Sequence, residues 1–544
     1  MAKPQSSNLK SQSLRFLFTT DIHGNYFSYD FRTRREGEGS LQRAYAFVKS
    51  CRKQYGDDHI VLLDGGDMIQ GGPEAYLINH VRTDQPHYVG EMCQQMGYDA
   101  GVPGNHDIES GKQAMDRFRG ACGYPLLAAN ITDGNGNRPF PPYVILRRCG
   151  MKIAVLGFST PATKRWLPDE LCRGYEFQEI LESAREWTEK VRNEEQPDLT
   201  VAVLHSGWSG GLYSPAWQEN VSHALARSVS GIDIILFGHD HFSRFQTVDN
   251  PDGKPVVCLN AGCYGYHIAE AVVTQGENGG IHVEGQIHDI RNLQNPYSDE
   301  FRQQFDGPFR LVDEYTTTPI GKLLTKLDIS HAFHGPSRYM SLIHSLQLEV
   351  SHADISLCSP YSMDQIVEEG ELTVADLFTV YWFEDRLYTI RLRGHEIKGV
   401  LERSYALWTN TVSSPSQPLL NTYMDEQTGK PQFRNLFFCF DTAAGIDYEV
   451  DPTKPEGSKV TILRFSDGRP FRLDEEYTVA TIAHRANGGG QMLTLGAGIP
   501  AEELPERVVS YTPFDIRHYL RTYIEQHSPL SVPLIDNWRF RLPW

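Results

Sequence analysis

The stretch FLFTTDIHGN, at residues 16–25, leads from an apolar segment directly into a cluster of polar side chains. Residues 16–19 have the apolar character of a buried strand, and Asp21 and His23 follow at once. An aspartate or a histidine beside glycine is common in ordinary turns, so this pair alone predicts little. The pattern gains weight because it recurs four more times within the first 241 residues.

The four further clusters have the same form, metal-ligating residue types placed after an apolar run or a turn. They are DGGD at 64–67 after IVLL, GNHD at 104–107, HSG at 205–207 after VAVL, and GHDH at 238–241 after IILF. Ligands in open α/β sheets gather beyond the carboxyl ends of the strands. We therefore expect the five clusters to meet at one site, with neighbouring glycines permitting tight turns.

Apolar runs of strand length alternate with longer helical segments through the first half of the chain. The strand-like runs lie at 16–19, 60–63, 153–158, 201–204 and 234–237. Residues 39–55 carry apolar side chains at helical spacing. This alternation predicts an α/β layered domain, with a more antiparallel stretch after it at 256–288.

The length of 544 residues predicts more than one domain, because single cores stop growing at about 250–300 residues. We place a first domain at residues 12–291, a polar linker helix at 292–319 and a second domain at 320–544. The second domain has a helical segment at 394–406 and strand-like segments at 447–451 and 476–482. We expect it to be of α+β type.

The clusters contain the residue types of a mixed nitrogen and oxygen metal site. Imidazole and carboxylate together favour Zn, Mn or Fe over Ca or Mg. Two cations about 3.5–4 Å apart can hold the attacking and leaving oxygens of a phosphate displacement. We predict two divalent ions with Asp67 as the bridge. One ion takes Asp21, His23, Asp67 and His241, and the other takes Asp67, Asn105, His205 and His239.

His106 stands beside a predicted ligand but is not assigned to a metal. We predict that it stabilises the charge that develops on the leaving group and protonates the departing oxygen. Glu109 lies three residues further on, at the start of a predicted helix, where it can orient this histidine. We therefore name His106 and Glu109 as catalytic candidates.

Composition and charge exclude several other classes of protein. A net charge of −18 opposes binding to long nucleic acids, and no apolar run is long enough for a membrane span. The nine cysteines are widely spaced without a Cys-x-x-Cys pair, which favours buried thiols over disulfides or structural zinc. The polar N-terminal stretch is not a signal peptide, which leaves the cytoplasm open, or export if a signal has been removed.

The five clusters resemble, motif by motif and in order, those of the calcineurin-like metallophosphoesterases. The whole chain resembles the 5'-nucleotidase family, which joins this metal domain to a C-terminal nucleotide-binding domain. The resemblance implies a four-layer metallophosphoesterase-type β-sandwich flanked by helices, plus the C-terminal α+β domain. It also implies the metal-ligand roles given above, and it implies a periplasmic or secreted protein.

Two features of the second half resemble the 2',3'-cyclic-nucleotide 2'-phosphodiesterase/3'-nucleotidase branch of the family. The run RANGGG at 485–490 lacks the aspartate usual in 5'-nucleotidases, and CSPYS at 358–362 replaces a Gly-Gly-x-Arg run. In the family, two aromatic side chains sandwich the base. Phe440 and His484 occupy the matching positions, and we add Asn487 of the last segment as a third substrate-binding candidate.

We therefore predict metal-dependent hydrolysis of nucleotide phosphoesters, namely 2',3'-cyclic nucleotides and 3'- or 5'-nucleoside monophosphates. The partner is a small nucleotide, with no long nucleic acid and no membrane span. Two alternatives stay open: hydrolysis of nucleotide-sugars or other phosphoesters, and an inactive binding protein on the same fold. The sequence does not indicate an oligomeric state.

Overall fold

The computed structural model describes residues 13–542 apart from 277–279, 294, 364, 425–428 and 430. The chain forms two compact units, Met1–Tyr315 and Thr316–Trp544. The predicted domain limits at 12–291, 292–319 and 320–544 stay predictions. Within the described ranges, none of the helices is long and apolar enough to cross a lipid bilayer.

The first unit contains a five-stranded sheet that carries three of the five predicted clusters. Its strands lie, in spatial order, at Ile281–Asp289, His267–Gln275, Leu14–Thr19, Ile60–Asp64 and Ala100–Gly101. The last three are parallel to one another, and His267–Gln275 is antiparallel to both of its neighbours. The clusters at Asp21, Asp67 and Asn105 therefore leave the same edge of the sheet.

A six-stranded sheet in the same unit carries the other two clusters. Its strands lie, in spatial order, at Arg244–Asp249, Pro255–Asn260, Ile234–Phe237, Leu199–His205, Met151–Ser159 and Tyr143–Arg148. The four central strands are parallel, and the two edge strands are antiparallel to their neighbours. His205 ends one central strand, and His239 follows the next.

Alternate side chains of both sheets fill a buried apolar layer between them. Phe16, Phe18 and Leu63 of the first sheet share this layer with Val155 and Val203 of the second. Side chains on the opposite faces pack under helices, as strand periodicity requires. The resulting order of helix, sheet, sheet and helix confirms the predicted four-layer sandwich.

Helices cover both outer faces of this sandwich. The α-helices of the first unit lie at Leu41–Tyr55, Pro73–Tyr76, Tyr88–Met96, Asn105–Glu109, Lys112–Ala121, Thr163–Trp166, Ile180–Glu195, Ser222–Ser228, Pro296–Gln304 and Asp306–Thr316. The last two fall in the predicted linker. Phe301 and Phe305 lie in the same apolar cluster as Tyr45 of the first helix, so this segment packs as part of the first unit.

The second unit is an α+β structure, as predicted. Its main sheet has strands at Thr442–Ala444, Ile355–Cys358, Glu476–Ile482, Arg386–Arg393 and Val508–Asp515, and a smaller sheet has strands at Val460–Phe465, Ile446–Val450 and Trp538–Phe540. Its α-helices lie at Arg338–Ser351, Val374–Val380, Gly394–Trp408, Ala483–Ala486, Leu504–Arg507 and Ile516–His527. The predicted helix at 394–406 and strands at 447–451 and 476–482 are confirmed within two residues.

Candidate metal centre

The loops that follow the parallel strands bring six predicted ligands into two groups. Asp21, His23 and His241 form one group, in which the ligand atoms lie within 4.8 Å of one another. The second group consists of Asp67, His205 and His239, and its ligand atoms also lie within 4.8 Å of one another. Each group takes its members from both sheets, so the site exists only because the two sheets are stacked.

The first group is tightly packed around histidine nitrogens. The Nε2 atoms of His23 and His241 are 3.1 Å apart, and Nε2 of His241 is 3.3 Å from Oδ1 of Asp21. Asp21 is fully buried, and His23 is 5% exposed. Two imidazole nitrogens and a carboxylate oxygen that converge in this way form a donor set typical of a divalent metal site.

The second group includes the seventh predicted ligand as a neighbour. Nε2 of His205 lies 3.1 Å from Oδ2 of Asp67 and 3.0 Å from Oδ1 of Asn105. Asn105 begins the helix Asn105–Glu109 and is buried. An amide oxygen beside a carboxylate and two imidazoles completes the predicted set without adding a further negative charge.

Asp67 stands between the two groups, as a bridging ligand must. Its Oδ2 is 3.1 Å from Nε2 of His205 and 3.6 Å from Nε2 of His23. This oxygen is buried, and the imidazole of His205 beside it does not form a hydrogen bond of good geometry with it. A buried carboxylate oxygen is costly without a compensating partner. A cation would supply that partner, so the residues present fit a divalent metal.

The backbone is held in unusual conformations at these ligands. Asp21, His23, Asp67, His239 and His241 have φ values of 53°, 48°, 54°, 81° and 62°. Residues other than glycine rarely adopt this left-handed region, and such strain clusters at functional sites. Five of the seven predicted ligands therefore share a backbone feature that ordinary turns seldom require.

Hydrogen bonds fix which ring nitrogen of two histidines faces the centre. Nδ1 of His205 donates to the carbonyl oxygen of Gly65 at 2.8 Å. Nδ1 of His23 lies 3.2 Å from the carbonyl oxygen of Gln70. These acceptors keep the proton on Nδ1. Nε2 is thereby left as the metal-binding atom, and it is the atom that lies near Asp67 in both rings.

Charges within the site shift the pKa values of its members. Burial alone lowers the pKa of His205, but the adjacent carboxylate of Asp67 raises it to about 9. Burial raises the pKa of Asp67, yet His205 and His106 hold it well below its usual range. The metal-free protein thus keeps a proton beside an ionised carboxylate, and a bound cation would replace that proton.

His106 and Glu109 lie beside the predicted ligands and contact each other. Nδ1 of His106 is 2.5 Å from Oε2 of Glu109, and the His106 side chain is 35% exposed. The backbone N–H of His106 donates to Oδ1 of Asp67 at 2.9 Å. Its ring centroid is 5.5 Å from that of His23. The histidine is thus anchored at the centre with part of its ring open to solvent.

Sequence reasoning did not assign a role to Asp107, which fixes the geometry of two clusters. Its carboxylate accepts hydrogen bonds of 2.8–2.9 Å from the backbone N–H groups of Asp67, Met68, Ile69 and Gly104. Gly104 approaches so closely that a Cβ atom there would lie 2.0 Å from Oδ1 of Asp67. The position of Asp107 inside the GNHD cluster was the available signal, but three of its four partners lie about forty residues away.

Asp240 is a second residue without a predicted role, and it shapes the GHDH loop. Its Oδ2 accepts the backbone N–H of Trp208 at 2.8 Å, and its Oδ1 accepts Nδ2 of Asn260 at 2.8 Å. These bonds tie the loop to both neighbouring strands of the six-stranded sheet. His239 and His241 flank Asp240 in sequence, so these bonds hold the loop that carries both imidazoles.

The second unit does not present Phe440 as predicted. This ring is fully buried and stacks parallel to the indole of Trp408, with centroids 5.6 Å apart and planes 2° apart. Both belong to the main apolar cluster of the unit. Neither face of the ring is open to a base, because core packing took up an aromatic side chain that the sequence pattern could not distinguish from a binding residue.

His484 and Asn487 lie in a short segment held by Arg485. His484 is partly exposed and has its ring centroid 6.4 Å from that of Phe438. Nδ2 of Asn487 donates to the carbonyl oxygen of Ala483 at 2.9 Å. The buried guanidinium of Arg485 donates to the carbonyl oxygen of Phe438 at 2.7 Å and pairs with Asp441. This arrangement keeps the segment beside partly exposed Phe438 rather than Phe440.

Comparison with known proteins assigns both units. Residues 14–243 match the model of the calcineurin-like phosphoesterase family, and residues 315–496 match that of the 5'-nucleotidase C-terminal domain. A trifunctional nucleotide phosphoesterase of Bacillus subtilis is 25% identical over 96% of this chain, which spans 38% of that longer protein. A 2',3'-cyclic-nucleotide 2'-phosphodiesterase/3'-nucleotidase of Yersinia enterocolitica is 24% identical over 97% of this chain and 88% of its own.

The fold agrees with these matches. A solved structure of a candidate 5'-nucleotidase from Staphylococcus aureus aligns with a TM-score of 0.78 at 21% identity, covering 97% of this chain and 99% of that one. The two family models occur in the order predicted from the motifs, and the metal-ligating residue types lie within the first. The chain therefore belongs to the calcineurin-like metallophosphoesterases of the 5'-nucleotidase type, phosphoester hydrolases that use divalent metals.

Proposed function

We propose that this protein hydrolyses nucleotide phosphoesters at a centre of two divalent ions. The observation that carries the proposal is the position of Asp67 between two groups of donors, with one buried oxygen 3.1 Å from Nε2 of His205 and 3.6 Å from Nε2 of His23. One ion is assigned to Asp21, His23, Asp67 and His241, and the other to Asp67, Asn105, His205 and His239. The mixed imidazole and carboxylate donors favour Zn, Mn or Fe.

Bound ions at such a centre supply Lewis-acid activation of the phosphate and of the attacking water. The part played by the chain itself falls to His106. As the oxygen of water bonds to phosphorus and one of its protons passes to solvent, the bond from phosphorus to the leaving ribose oxygen breaks, and Nε2 of His106 gives its proton to that oxygen. Glu109 holds Nδ1 of the same ring and stabilises its positive charge.

The proposed substrates are 2',3'-cyclic nucleotides first, and then the 3'- and 5'-monophosphates. The names of the relatives support this choice, since full-length matches include both 2',3'-cyclic-nucleotide 2'-phosphodiesterase/3'-nucleotidases and 5'-nucleotidases. The absence of aspartate from RANGGG at 485–490 favours the cyclic-nucleotide branch. His484 and Asn487 remain the proposed contacts to the nucleoside, and partly exposed Phe438 replaces Phe440 as the stacking residue.

A substrate panel tests this proposal directly. The purified protein, loaded in turn with Zn²⁺, Mn²⁺ or Fe²⁺, should release products from 2',3'-cyclic AMP, 3'-AMP and 5'-AMP, with the highest kcat/KM on the cyclic compound. UDP-glucose and bis(p-nitrophenyl) phosphate complete the panel. A clear preference for UDP-glucose would assign the chain to the nucleotide-sugar hydrolases instead. No turnover of any compound by protein that contains two ions would overturn the enzyme function.

A further inference from the structure

A two-stranded hairpin next to the candidate centre brings a carboxylate onto one of its histidines. The hairpin consists of Gly210–Ser214 and Trp217–Asn220 and follows the cluster at His205. Oε1 of Glu219 lies 3.0 Å from Nε2 of His239, and the two side chains are only 14% and 11% exposed. This ion-pairing distance joins two residues twenty positions apart in a shielded setting.

The contact is made to a different ring nitrogen from those held in His23 and His205. In those rings an acceptor holds Nδ1, which leaves Nε2 for a metal. In His239 the acceptor holds Nε2, which leaves Nδ1 as the nitrogen with a lone pair. A carboxylate behind a metal-binding imidazole fixes its tautomer and orientation and makes it a stronger donor.

Glu219 is itself placed by several hydrogen bonds. Its carbonyl oxygen accepts the hydroxyls of Ser206 at 2.7 Å and Thr160 at 3.0 Å. Its Oε2 accepts the backbone N–H of Leu212 at 2.5 Å. Gly211 has no side chain to obstruct this contact, since a Cβ atom there would lie 2.4 Å from Oε2. The hairpin backbone therefore fits around this carboxylate.

The ring of His239 is also restrained on its faces. Its centroid lies 5.5 Å from that of Trp166, with the planes 32° apart, and 5.1 Å from that of His205. With Nε2 held by Glu219 and the ring confined by these neighbours, little rotational freedom remains. The orientation of His239 is thus set by the protein before any ligand binds.

We propose that Glu219 is a positioning residue that holds His239 with Nδ1 directed at the ion bound by Asp67, Asn105 and His205. The proposal rests on the two-metal function argued above. It adds a negative charge behind the ligands of this ion, whereas His23, in the other group, has neutral oxygens of Gln70 as its acceptors. The ion beside His239 should therefore be held more tightly than it would be without Glu219.

Metal affinity separates this role from a purely structural one. The variants are Glu219→Ala, which removes the acceptor, and Glu219→Gln, which keeps an amide oxygen but no charge. Glu284→Gln is the matched control, because Glu284 lies 3.3 Å from His282 in an exposed pair far from any predicted ligand in sequence. Each full-length protein is stripped of metal, and binding of Zn²⁺ is titrated against a competing chelator, with the melting temperature of the stripped form as a folding check.

The expected result is selective weakening of one of two bound Zn²⁺ ions. Glu219→Ala should lower the affinity for that ion by about 10- to 100-fold, Glu219→Gln should lose less, and the control should match wild type. Unchanged affinity in Glu219→Ala, or equal loss of both ions with a lowered melting temperature, would overturn the positioning role while leaving the proposed function intact. A wild-type protein that binds no Zn²⁺ would overturn both proposals.

Discussion

Predictions from the sequence agree with the structure to different degrees in two regions. These regions are the strand-end loops of the first unit and the segment around Arg485 in the second unit. In the first unit, predicted ligands from residues 21 to 241 lie in two compact groups. In the second, predicted Phe440 is buried against Trp408. Buried polar side chains at strand ends have few uses other than a site, whereas a buried aromatic ring is the ordinary content of a core.

The two regions also differ in how the backbone is held. Left-handed φ values occur at Asp21, His23, Asp67, His239 and His241, and such strain persists only where the surroundings enforce it. Near Arg485 the unusual φ values fall on Gly488, Gly490 and Gln491, two of which are glycines that adopt them at little cost. The backbone conformation of the first region is therefore enforced at individual residues, whereas that of the second region is determined mainly by side-chain packing.

The largest effect is expected from removing the bridging charge. Asp67→Asn should lower kcat on 2',3'-cyclic AMP by about 10³-fold or more, because a site that stabilises transition-state charge loses a shared ligand. Turnover and bound metal are measured on the same preparation. Asp133→Asn, in a surface turn, serves as the control and should behave as wild type. Equal turnover by Asp67→Asn and wild type would contradict the metal centre altogether.

The second prediction separates core from binding residue in the second unit. Phe440→Ala should lower the free energy of unfolding by about 3–5 kcal/mol, as expected for a buried phenylalanine. Phe438→Ala should cost less stability than Phe440→Ala, because this ring is only partly buried, but it should raise KM for nucleotides. Denaturant unfolding and kinetics on a nucleotide and on bis(p-nitrophenyl) phosphate measure both effects. A stable Phe440→Ala protein with a raised KM would restore the original assignment of base stacking.

His106 offers a test confined to the leaving group. His106→Gln should lower kcat on 3'-AMP by about 10²-fold, the lower range for loss of a general acid. The loss should be much smaller on p-nitrophenyl phosphate, whose leaving group needs no proton. Glu109→Gln should show the same pattern with a smaller loss, since it acts through His106. If both variants lost activity equally on the two substrates, protonation of the leaving group would be excluded.

The smallest effect concerns His344, a buried histidine of the second unit without a catalytic assignment. Burial lowers its pKa from 6.5 to about 3, so between these values the unfolded chain takes up a proton that the folded chain does not. The free energy of unfolding therefore decreases as the pH falls below 6.5. The contribution of this group to the decrease is about 2 kcal/mol at pH 5. The difference in unfolding free energy between pH 7 and pH 5 should shrink by that amount in His344→Gln.

Much of the first unit could be predicted from residues alone. Apolar runs of strand length, each ending in a carboxylate, an imidazole or a glycine, indicate parallel strands whose carboxyl ends share one edge. That inference led to the α/β layered domain and the set of seven candidate ligands, while the four-layer sandwich was implied by the resemblance of the clusters to a family. It works because the periodicity of side chains and the chemistry of metal ligands are local properties that a sequence displays directly.

Only the tertiary structure decided which side chains stand behind those ligands and which aromatic rings were available. Asp107 binds four backbone N–H groups from two loops, and Glu219 reaches His239 from a hairpin on another segment. Phe440 lies in the core with its ring parallel to that of Trp408. Such contacts depend on the relative placement of distant segments, which no local pattern encodes. Composition and spacing therefore determined which residue types form the site, and packing determined how their side chains are oriented.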